Sequence, residues 1–520
     1  MTKSKIPLKA GKLFILVALL LVGTPIFAQS VDTAWVRRYN GPGNSIDWPY
    51  NIAVDELGNV YVAGGSNGSG SLTDYATIKY YPNGDTAWVR RYNGPGNDQD
   101  QALAMKVDNS GNVYVTGYST GLGTNLDITT IKYLANGDTA WVRRYSSPGS
   151  QADVGFAITV DNLENVYVTG RREGVYPDYA TIKYDQYGNM IWVKTYNGPG
   201  NYWDESWDIA VDESGNVYVT GQSTGTQGNA DFATIKYDSN GNTAWVRRYN
   251  GPVNGGDLAG DIGVDKSGNI YVNGLSSRSG IAGDCDYATI KYYPNGDTAW
   301  VRRYRGPVTT WGKAGGMVVD DSGNVYVTGF SDVSGTFDDY LTIKYHPNGD
   351  TAWVRRYDGP ANYSDGARGI TIDDSGNVFV TGASRGSDSN WDYVTIKYRP
   401  NGDLTWAIRY NGPANGSDDA LAIAVDDSDN VYVTGHSDGV ESYEDYATIK
   451  YVQFLCGDVN KDGVVNSADI IYLINYLFIS GPAPIPIIQV GDVNRDGVVN
   501  VTDVVYLINY LFIGGPAPCS

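Results

Sequence analysis

The residues best suited to chemistry lie near the C-terminus, where one phrase of oxygen-bearing side chains occurs twice. In each copy the oxygens stand at positions 1, 3, 5, 9 and 12 of a loop, and glycine stands at position 6. With the carbonyl of position 7, this spacing is the ligand set of an EF-hand-type calcium loop. The predicted ligands are Asp458, Asn460, Asp462, Val464, Asn466 and Asp469 for one ion, and Asp492, Asn494, Asp496, Val498, Asn500 and Asp503 for a second ion. The alternative is a solvated acidic turn.

A helix is predicted after each loop, because apolar residues such as Ile470, Ile474 and Leu477 follow with helical spacing. Two loop–helix units that lack an entering helix resemble a type I dockerin, here over residues 455–520. The resemblance implies structural calcium and a cohesin-type protein module as partner. In that family, loop positions 10 and 11 govern the choice of partner. Those positions are Ser467, Ala468, Val501 and Thr502 in this sequence.

Two of the three cysteines, Cys456 and Cys519, bracket this C-terminal region. In a secreted chain we expect them to form a disulfide that closes a loop of about 60 residues and adds ~4 kcal/mol of stability in the chain-entropy model. For the third, Cys285, the sequence leaves open a buried thiol or an unpaired surface thiol.

The region that contains these loops is preceded by a long stretch with eight copies of one unit. The strings I-A-V-D, G-N-V-Y-V-T-G, D-Y-A-T-I-K-Y and T-A-W-V-R-R-Y recur with small variations. Each is a short run of β-branched and aromatic residues, which is typical of a strand. Four strands per period of about 53 residues indicate a propeller blade. The last string carries the motif tryptophans Trp35, Trp88, Trp141, Trp192, Trp245, Trp300, Trp353 and Trp406.

The order of the strands within a blade is predicted from their side chains. The small apolar I-A-V strand suits the crowded centre, and the arginines of W-V-R-R-Y suit an outer edge that must resist pairing. The array begins with an outer strand at residues 33–39 and ends with a third strand at residues 447–451. We therefore predict an all-β, eight-bladed β-propeller over residues 32–452, closed by the N-terminal strand, and a small α-helical calcium-binding domain after it.

These repeated strings resemble the bacterial "seven-bladed β-propeller" repeat, which is widespread in secreted proteins. The resemblance covers all eight units, whereas the family name counts seven blades. It implies the fold and no particular activity.

Residues that recur in nearly every unit are interpreted as structural. They include the motif tryptophans, aspartates that open the third strand, such as Asp74 and Asp178, and aspartates that follow the first strand, such as Asp55. A glycosidase needs only two close carboxylates, but nothing singles out a pair among so many. The two histidines, His346 and His436, are interpreted as ordinary substitutions within the repeat.

Five tryptophans lie outside the repeated string, in connections that a four-strand meander places on one face. We expect Trp207 to be part of the core. The ligand face is predicted to comprise Trp48, Trp203, Trp311 and Trp391, with Tyr202 and Tyr363 beside them. Exposed aromatic rings suit stacking on sugars or contacts with peptides. The alternative is that these rings plug the central channel or pack between loops.

The N-terminus predicts export, because lysines precede an apolar run that ends in small residues near Ala28. Residues 1–28 are interpreted as a signal peptide, which places the protein outside the cell or on its surface without membrane insertion. The formal charge of −20 argues against nucleic acid as a partner.

The function predicted from these features is that of a secreted, non-catalytic binding or scaffold propeller. A calcium-dependent dockerin would tether it to cohesin-bearing partners, either in extracellular polysaccharide breakdown or on the cell surface. No Ser-His-Asp arrangement is visible, so the protein is not expected to be an enzyme. The alternative is a polysaccharide-degrading propeller, either a glycoside hydrolase or a lyase. A third hypothesis is a structural surface protein without a ligand.

Overall fold

The computed structural model describes residues 29–149, 152–279, 284–306, 312–333, 337–387 and 390–519. The predicted signal peptide and Trp311 lie outside the described residues. The chain divides into two compact units, one formed by Gln29–Phe454 and the other containing the residues from Leu455 onward.

In the described part of the first unit, 32 strands form eight antiparallel sheets of four strands each. Blades are numbered here from 1 to 8 in the order of their innermost strands. The innermost strands are Asp47–Val54, Asp100–Val107, Val154–Val160, Asp204–Val211, Asp257–Val264, Gly312–Val319, Asp365–Ile372 and Asp418–Val425. The second strands are Val60–Asn67, Val113–Thr120, Val166–Arg172, Val217–Thr224, Ile270–Ser277, Val325–Val333, Val378–Arg385 and Val431–Asp438.

The third strands are Thr73–Tyr80, Leu126–Tyr133, Asp178–Tyr184, Ala230–Tyr237, Cys285–Tyr292, Phe337–Tyr345, Trp391–Tyr398 and Glu444–Leu455. The outermost strands of blades 1 to 7 are Thr86–Tyr92, Thr139–Tyr145, Met190–Tyr196, Thr243–Tyr249, Thr298–Tyr304, Thr351–Tyr357 and Leu404–Tyr410. Blade 8 takes its outermost strand, Gln29–Tyr39, from the N-terminal side of the array. The innermost strands lie side by side in a closed ring, in which blade 8 contacts blade 1. The eight-bladed propeller closed by an N-terminal strand is confirmed.

The core lies between neighbouring blades, because the second and third strands are buried on both faces. Val60, Tyr61 and Val62 of blade 1 are all fully buried, as are their counterparts in the other blades. Each innermost strand, in contrast, has a β-bulge that leaves one residue out of the pairing register. This unpaired residue differs from blade to blade: Tyr50, Leu103, Phe156, Trp207, Gly260, Gly315, Arg368 and Leu421.

The repeated aspartate after each innermost strand folds the hairpin that follows it. Asp55 Oδ1 accepts hydrogen bonds from the backbone N–H groups of Leu57 (3.0 Å) and Asn59 (2.8 Å). Its Oδ2 atom accepts from the Tyr61 hydroxyl at 2.8 Å. This carboxylate therefore satisfies turn amides and a buried phenol, which is a structural role.

The outermost strand clamps each blade to the next one. Trp88 Nε1 donates to the carbonyl of Ala135 at 3.2 Å, and Arg90 Nε donates to the carbonyl of Gly137 at 2.6 Å. Both acceptors belong to the last turn of blade 2. The Arg90 guanidinium also lies 5.6 Å from the centroid of the Trp88 ring. The first arginine of the string thus joins two blades, which is more than the edge protection that we expected.

The second arginine joins strands of its own blade and also contacts the preceding blade. The guanidinium of Arg91 contacts Asp74 Oδ2 at 2.7 Å, donates to Ser66 Oγ at 2.5 Å and donates to the hydroxyl of Tyr39 at 3.0 Å. Blade 3 has Thr195 in place of this arginine. There Arg172, from the second strand, contacts Asp178 at 2.7 Å instead. The ion pair is therefore kept even where the repeated arginine is missing.

In blade 8 no turn connects the third strand to the outermost strand, so the tryptophan of blade 7 has no turn carbonyl to bond to. The side chain of Gln453 accepts its hydrogen bond instead. Trp406 Nε1 donates to Gln453 Oε1 at 3.2 Å, and Lys397 Nζ donates to the same oxygen at 2.7 Å. On the other side, Trp35 Nε1 donates to the carbonyl of Pro82 at 3.1 Å. Both sides of the closing blade are therefore clamped.

The second unit contains helix Ser467–Ile479, a short 3₁₀ turn at Ile488–Gly491 and helix Val501–Ile508, which continues as a π-helical turn at Asn509–Ile513. Leu473 and Leu507 are fully buried at its centre. The structure joins Cys456 to Cys519, whose Cα atoms are 6.0 Å apart. None of the helices in the described residues has the length and apolar character needed to cross a bilayer.

The clamp at the closing blade predicts that Trp35→Ala destabilises the propeller. Trp35 is 8% exposed, and its loss removes a buried ring at the seam of the ring of blades. We expect a loss of about 3–5 kcal/mol in the free energy of unfolding, measured by urea denaturation of the full chain. The matched control is Trp203→Ala, because Trp203 is 39% exposed and its loss should cost about 1 kcal/mol or less. Equal losses for the two variants would contradict the clamp.

Candidate functional site

The first predicted calcium loop is folded by its own backbone N–H groups. The two carboxylate oxygens of Asp458 accept hydrogen bonds from the N–H groups of Asp462 (3.0 Å) and Gly463 (2.8 Å). Asn460 Oδ1 accepts from the same Asp462 N–H at 2.9 Å. Gly463 has a φ of +87°, which the sharp turn at position 6 requires. These bonds direct the side chains at positions 1 and 3 toward the inside of the loop.

Position 12 of the loop, Asp469, connects the loop to its helix. Its Oδ1 atom accepts from the N–H of Val459 at 2.9 Å, and its Oδ2 atom accepts from the N–H of Asn466 at 2.8 Å. Asn466 Oδ1 in turn accepts from the N–H of Ala468 at 2.7 Å, which completes a capping box. Two of the predicted calcium ligands therefore also start the helix.

The second loop repeats this geometry. Asp492 accepts at 3.0 and 2.9 Å from the N–H groups four and five positions further on. Asp503 accepts at 2.9 and 2.8 Å from the N–H groups of Val493 and Asn500. Asn500 caps the helix that follows, as Asn466 does in the first loop. The duplication in sequence is thus a duplication in structure.

The two loops fit calcium by their donors and by their charge. Every predicted ligand atom is an oxygen, which is the donor that Ca²⁺ prefers. Burial raises the pKa of Asp469, and the nearby charge of Asp458 acts in the same direction. Burial and the charge of Asp492 likewise raise the pKa of Asp503. A divalent cation among these carboxylates would remove their mutual repulsion.

The four residues predicted to face a protein partner, Ser467, Ala468, Val501 and Thr502, are all exposed at the start of the two helices. The two halves differ in one respect. Thr502 Oγ1 accepts from Asn494 Nδ2 at 3.0 Å, whereas Ala468, its counterpart, has no side-chain polar group. Each half therefore has one hydroxyl group, which stands at position 10 in the first half (Ser467) and at position 11 in the second (Thr502).

The propeller unit has a cavity of about 640 Å³ where blades 6, 7 and 8 meet. This volume is typical of sites for small ligands. Its lining residues stand where innermost strands begin, second strands end and third strands begin. That is the face on which the sequence placed the unrepeated aromatic residues.

Small residues create this cavity. Gly366 stands where the other blades have Trp48, Gln101, Val154, Glu205, Leu258, Lys313 and Asp419. A Cβ atom built on Gly366 would have Phe330 as its nearest neighbour, at 3.6 Å, so the space beside it is open. At the contact between blades 3 and 4, in contrast, an ion pair between Arg171 and Glu205 fills the corresponding place.

Three successive blades place functional side chains at one equivalent position in the lining, immediately before the aspartate of the third strand. These residues are Asp338 in blade 6, Trp391 in blade 7 and Glu444 in blade 8. Burial, together with the charge of Asp332, raises the pKa of Asp338 to about 6. The cavity thus presents a partly buried indole between two carboxylates.

The other charged groups of the cavity are tied to each other or to the fold. Arg368 donates from Nε to Asp419 Oδ1 at 3.1 Å and from its terminal nitrogen to Asp419 Oδ2 at 2.7 Å. Asp365 accepts from the N–H of Gly359 at 2.6 Å, as the equivalent aspartates of other blades do. His436 Nδ1 lies 3.6 Å from Glu444 Oε1.

Two of the four predicted ligand-face tryptophans belong to this region. Trp391 lines the cavity, and the Arg385 guanidinium lies 5.1 Å from its ring centroid. Trp48 donates from Nε1 to Glu444 Oε2, and its ring centroid is 5.8 Å from that of His436.

Three other aromatic residues of the predicted ligand face, Trp203, Tyr202 and Tyr363, do not line the cavity. Trp203 packs against Arg171, whose guanidinium carbon is 5.8 Å from the ring centroid. Tyr202 and Tyr363 are both exposed, and each packs on another ring: Tyr176 for the first and Phe337 for the second.

The prediction that Trp207 is part of the core was wrong. Trp207 is 42% exposed, and its ring stacks on Phe156 with centroids 5.1 Å apart. The reason is the β-bulge, because Trp207 is the unpaired residue of its strand. The sequence analysis also missed Arg368, Asp419 and the place of His436 in the cavity. An alignment of the eight units against one another carries the signal, since these residues stand at positions that vary.

The two remaining candidates of the sequence analysis lie elsewhere. His346 is exposed in the turn between the third and outermost strands of blade 6, where its backbone carbonyl accepts from the N–H of Gly349 at 2.8 Å. Cys285 is half-buried, and burial raises the pKa of its thiol.

Comparison with protein families identifies both parts of the chain. Residues 456–512 match the family model of the Dockerin type I domain. Residues 34–70, 87–124, 195–228 and 353–388 match the family model of the Beta-propeller repeat. The chain therefore contains beta-propeller repeats and a dockerin type I domain. Domains of that type generally bind calcium and interact with cohesin modules.

Similarity to individual proteins is low. The chain is 24% identical over 489 residues to an uncharacterized WD repeat-containing protein of Acanthamoeba polyphaga mimivirus, with 79% of this chain and 32% of that protein covered. The chain thus spans about a third of the length of this curated relative.

Solved structures with a similar arrangement include the WD40 domain of SCAP from fission yeast, at 9% identity and a TM-score of 0.45, with 81% of this chain and 98% of that one covered. They also include an ulvan lyase described as a polysaccharide lyase, at 10% identity and a TM-score of 0.40, with 72% and 95% covered.

Proposed function

We propose that this protein is a secreted, non-catalytic binding protein. Its propeller presents the cavity between blades 6, 7 and 8 to a polysaccharide. Its dockerin domain, held by two calcium ions, attaches the propeller to a cohesin-type module of another protein. The propeller thus supplies recognition, and the dockerin supplies attachment.

The observation that carries this proposal is that each blade combines repeated framework residues with positions whose residue type varies. The clamping tryptophan, the paired arginine and the turn aspartate recur around the ring. The residue after V-T-G in the second strand, in contrast, differs in every blade: Gly65, Tyr118, Arg171, Gln222, Leu275, Phe330, Ala383 and His436. The fold does not require any one residue type there, and three of these residues, Phe330, Ala383 and His436, line the cavity. Variable residues around a cavity on a rigid scaffold are typical of a binding site.

Three features support the proposed place of action. Residues 1–28 have the charge and hydropathy pattern of a signal peptide. The pairing of Cys456 with Cys519 suits an oxidising compartment. Proteins with dockerin domains are typically extracellular or bound to the cell surface.

One observation favours the second candidate function, a polysaccharide-degrading enzyme. Burial raises the pKa of Asp338 to about 6, which is the range of a carboxylic acid that donates a proton in glycoside cleavage. Glu444 would then be the second carboxylate of the same cavity. The two functions differ in turnover, which the same sugars can test.

The binding function predicts that Trp391→Ala weakens sugar binding without unfolding the ring. We expect the full chain to bind at least one polysaccharide on a glycan array, and we expect the variant to lose about tenfold or more in affinity, because it loses the aromatic surface of the cavity. Trp203→Ala is the matched control and should bind normally.

A cavity-filling variant provides a second measurement for the same prediction. Gly366→Leu reproduces the residue that blade 5 has at this position, Leu258, and it should block binding by occupying the open space. Release of shortened sugars or unsaturated ends by the unmodified chain would instead establish the enzyme. Binding that neither variant affects would contradict the assignment of the cavity.

The calcium sites predict one ion for each loop. In isothermal titration of the chelator-treated full chain, we expect two ions to bind, and we expect Asp458→Ala and Asp492→Ala each to remove one of them. Each substitution removes a carboxylate at loop position 1, which is a ligand in both loops. Asp98→Ala, at an exposed aspartate of the propeller, should leave both ions bound. Two ions in either loop variant would contradict the ligand assignment.

Attachment through the dockerin predicts calcium-dependent capture by cohesin. A panel of immobilised cohesin modules should retain the full chain in calcium and release it when a chelator is added, because the loops order the helices that carry the contact surface. The double variant Ala468→Arg with Thr502→Arg should prevent capture, since both residues are exposed on that surface. Retention that survives the chelator would count against this mode of attachment.

A further inference from the structure

We propose that the cavity between blades 6, 7 and 8 selects a sugar that carries a protonated amine, that is, an amino-sugar oligomer. This inference rests on the proposed polysaccharide-binding function and names the class of sugar.

The charge of the lining is the first argument. Among the described lining residues, four carboxylates, those of Asp338, Asp365, Asp419 and Glu444, face a single guanidinium, that of Arg368. A second guanidinium, that of Arg385, lies against Trp391, so carboxylates remain in excess. A sulfated sugar or a uronic acid would meet net repulsion here, whereas a cationic sugar would meet attraction.

The pairing of these charges is the second argument. Arg368 is engaged by both oxygens of Asp419, and Asp365 serves the fold through the N–H of Gly359. Among the residues whose side chains the structure describes, no lysine or arginine forms an ion pair with Asp338 or Glu444, and Glu444 contacts only the Trp48 indole N–H and His436. A partly buried carboxylate without a cation is unfavourable, and a bound ammonium group would supply the missing partner through a charge-assisted hydrogen bond.

The aromatic and hydroxyl groups are the third argument. Trp391 stands at the equivalent position in the blade between Asp338 and Glu444, where an indole surface favours both a sugar ring and a nearby cation. Ser364, Ser417 and Tyr50 add hydroxyl groups to the lining. Hydroxyl groups around the cavity suit the several hydroxyls of a sugar better than the apolar stem of a lysine side chain. We therefore favour an amino sugar over a basic peptide.

The test compares two tetrasaccharides that have the same sugar rings and differ at the amine. A chitosan tetramer carries free amines, and a chitin tetramer carries the same rings with the amines acetylated. Titrated into the full chain near neutral pH, where the Asp338 carboxylate is ionised, the chitosan tetramer should bind at least about tenfold more tightly. Asp338→Asn and Glu444→Gln should each reduce this preference, and the double variant should abolish it. Glu56→Gln, at an exposed turn, should leave the preference unchanged.

The outcomes separate this inference from the function on which it rests. Equal binding of the two tetramers, or a preference that survives the double variant, would overturn the amino-sugar assignment and leave polysaccharide binding intact. Binding of oligolysine without binding of chitosan would overturn the sugar class. Failure of every polysaccharide on the array would overturn the proposed function itself.

Discussion

The contact between the outermost strand of one blade and the last turn of the next is the constraint on which the ring depends. The indole N–H and the first arginine of the string both donate to carbonyls across the boundary, as Trp88 and Arg90 do. Because each clamp joins only two neighbours, the ring depends on the repetition of the clamp around its periphery. Blade 3 shows its tolerance: there the string carries Lys194 in place of the arginine, and Trp192 Nε1 has no hydrogen-bond partner among the described residues.

Because the bonds between blades lie at the periphery of the ring, the residue types on one face can vary. The clamps, the paired arginines and the hairpin aspartates all lie away from the residues that line the cavity. Blade 7 has Ala383 where blade 3 has Arg171, and it has Gly366 where blade 5 has Leu258. Such differences change the side chains on this face of a blade without removing any of these bonds. The cavity therefore arises from small residues at two positions. Its charge comes from Asp338 and Glu444, which stand next to the framework aspartates.

The elements that could be predicted from the sequence are those encoded by local pattern. Strand type, strand order, closure by the N-terminal strand and the two loop–helix units all follow from periodicity or from residue spacing within a dozen positions. The cavity could not be found this way, because it depends on residues in three blades that only the ring brings together. His436 is an ordinary substitution when its own unit is considered alone, and it lines a cavity when Trp48 and Glu444 are its neighbours. Trp207 was misplaced because an unpaired bulge residue breaks the alternation on which a core prediction relies.

Closure of blade 8 by the strand Gln29–Tyr39 has a consequence for how the chain acquires its structure. Arg38 bonds to Ser437, 399 positions away, so the two ends of the array must meet before the last sheet is complete. In a chain that crosses a membrane unfolded, with its N-terminus first, this first strand stays unpaired until the eighth unit has also crossed. Such a strand is open to mispairing with other molecules in the interval, and contacts of this sequence separation form slowly. Completion of the ring should therefore be limited by the arrival of its last repeat.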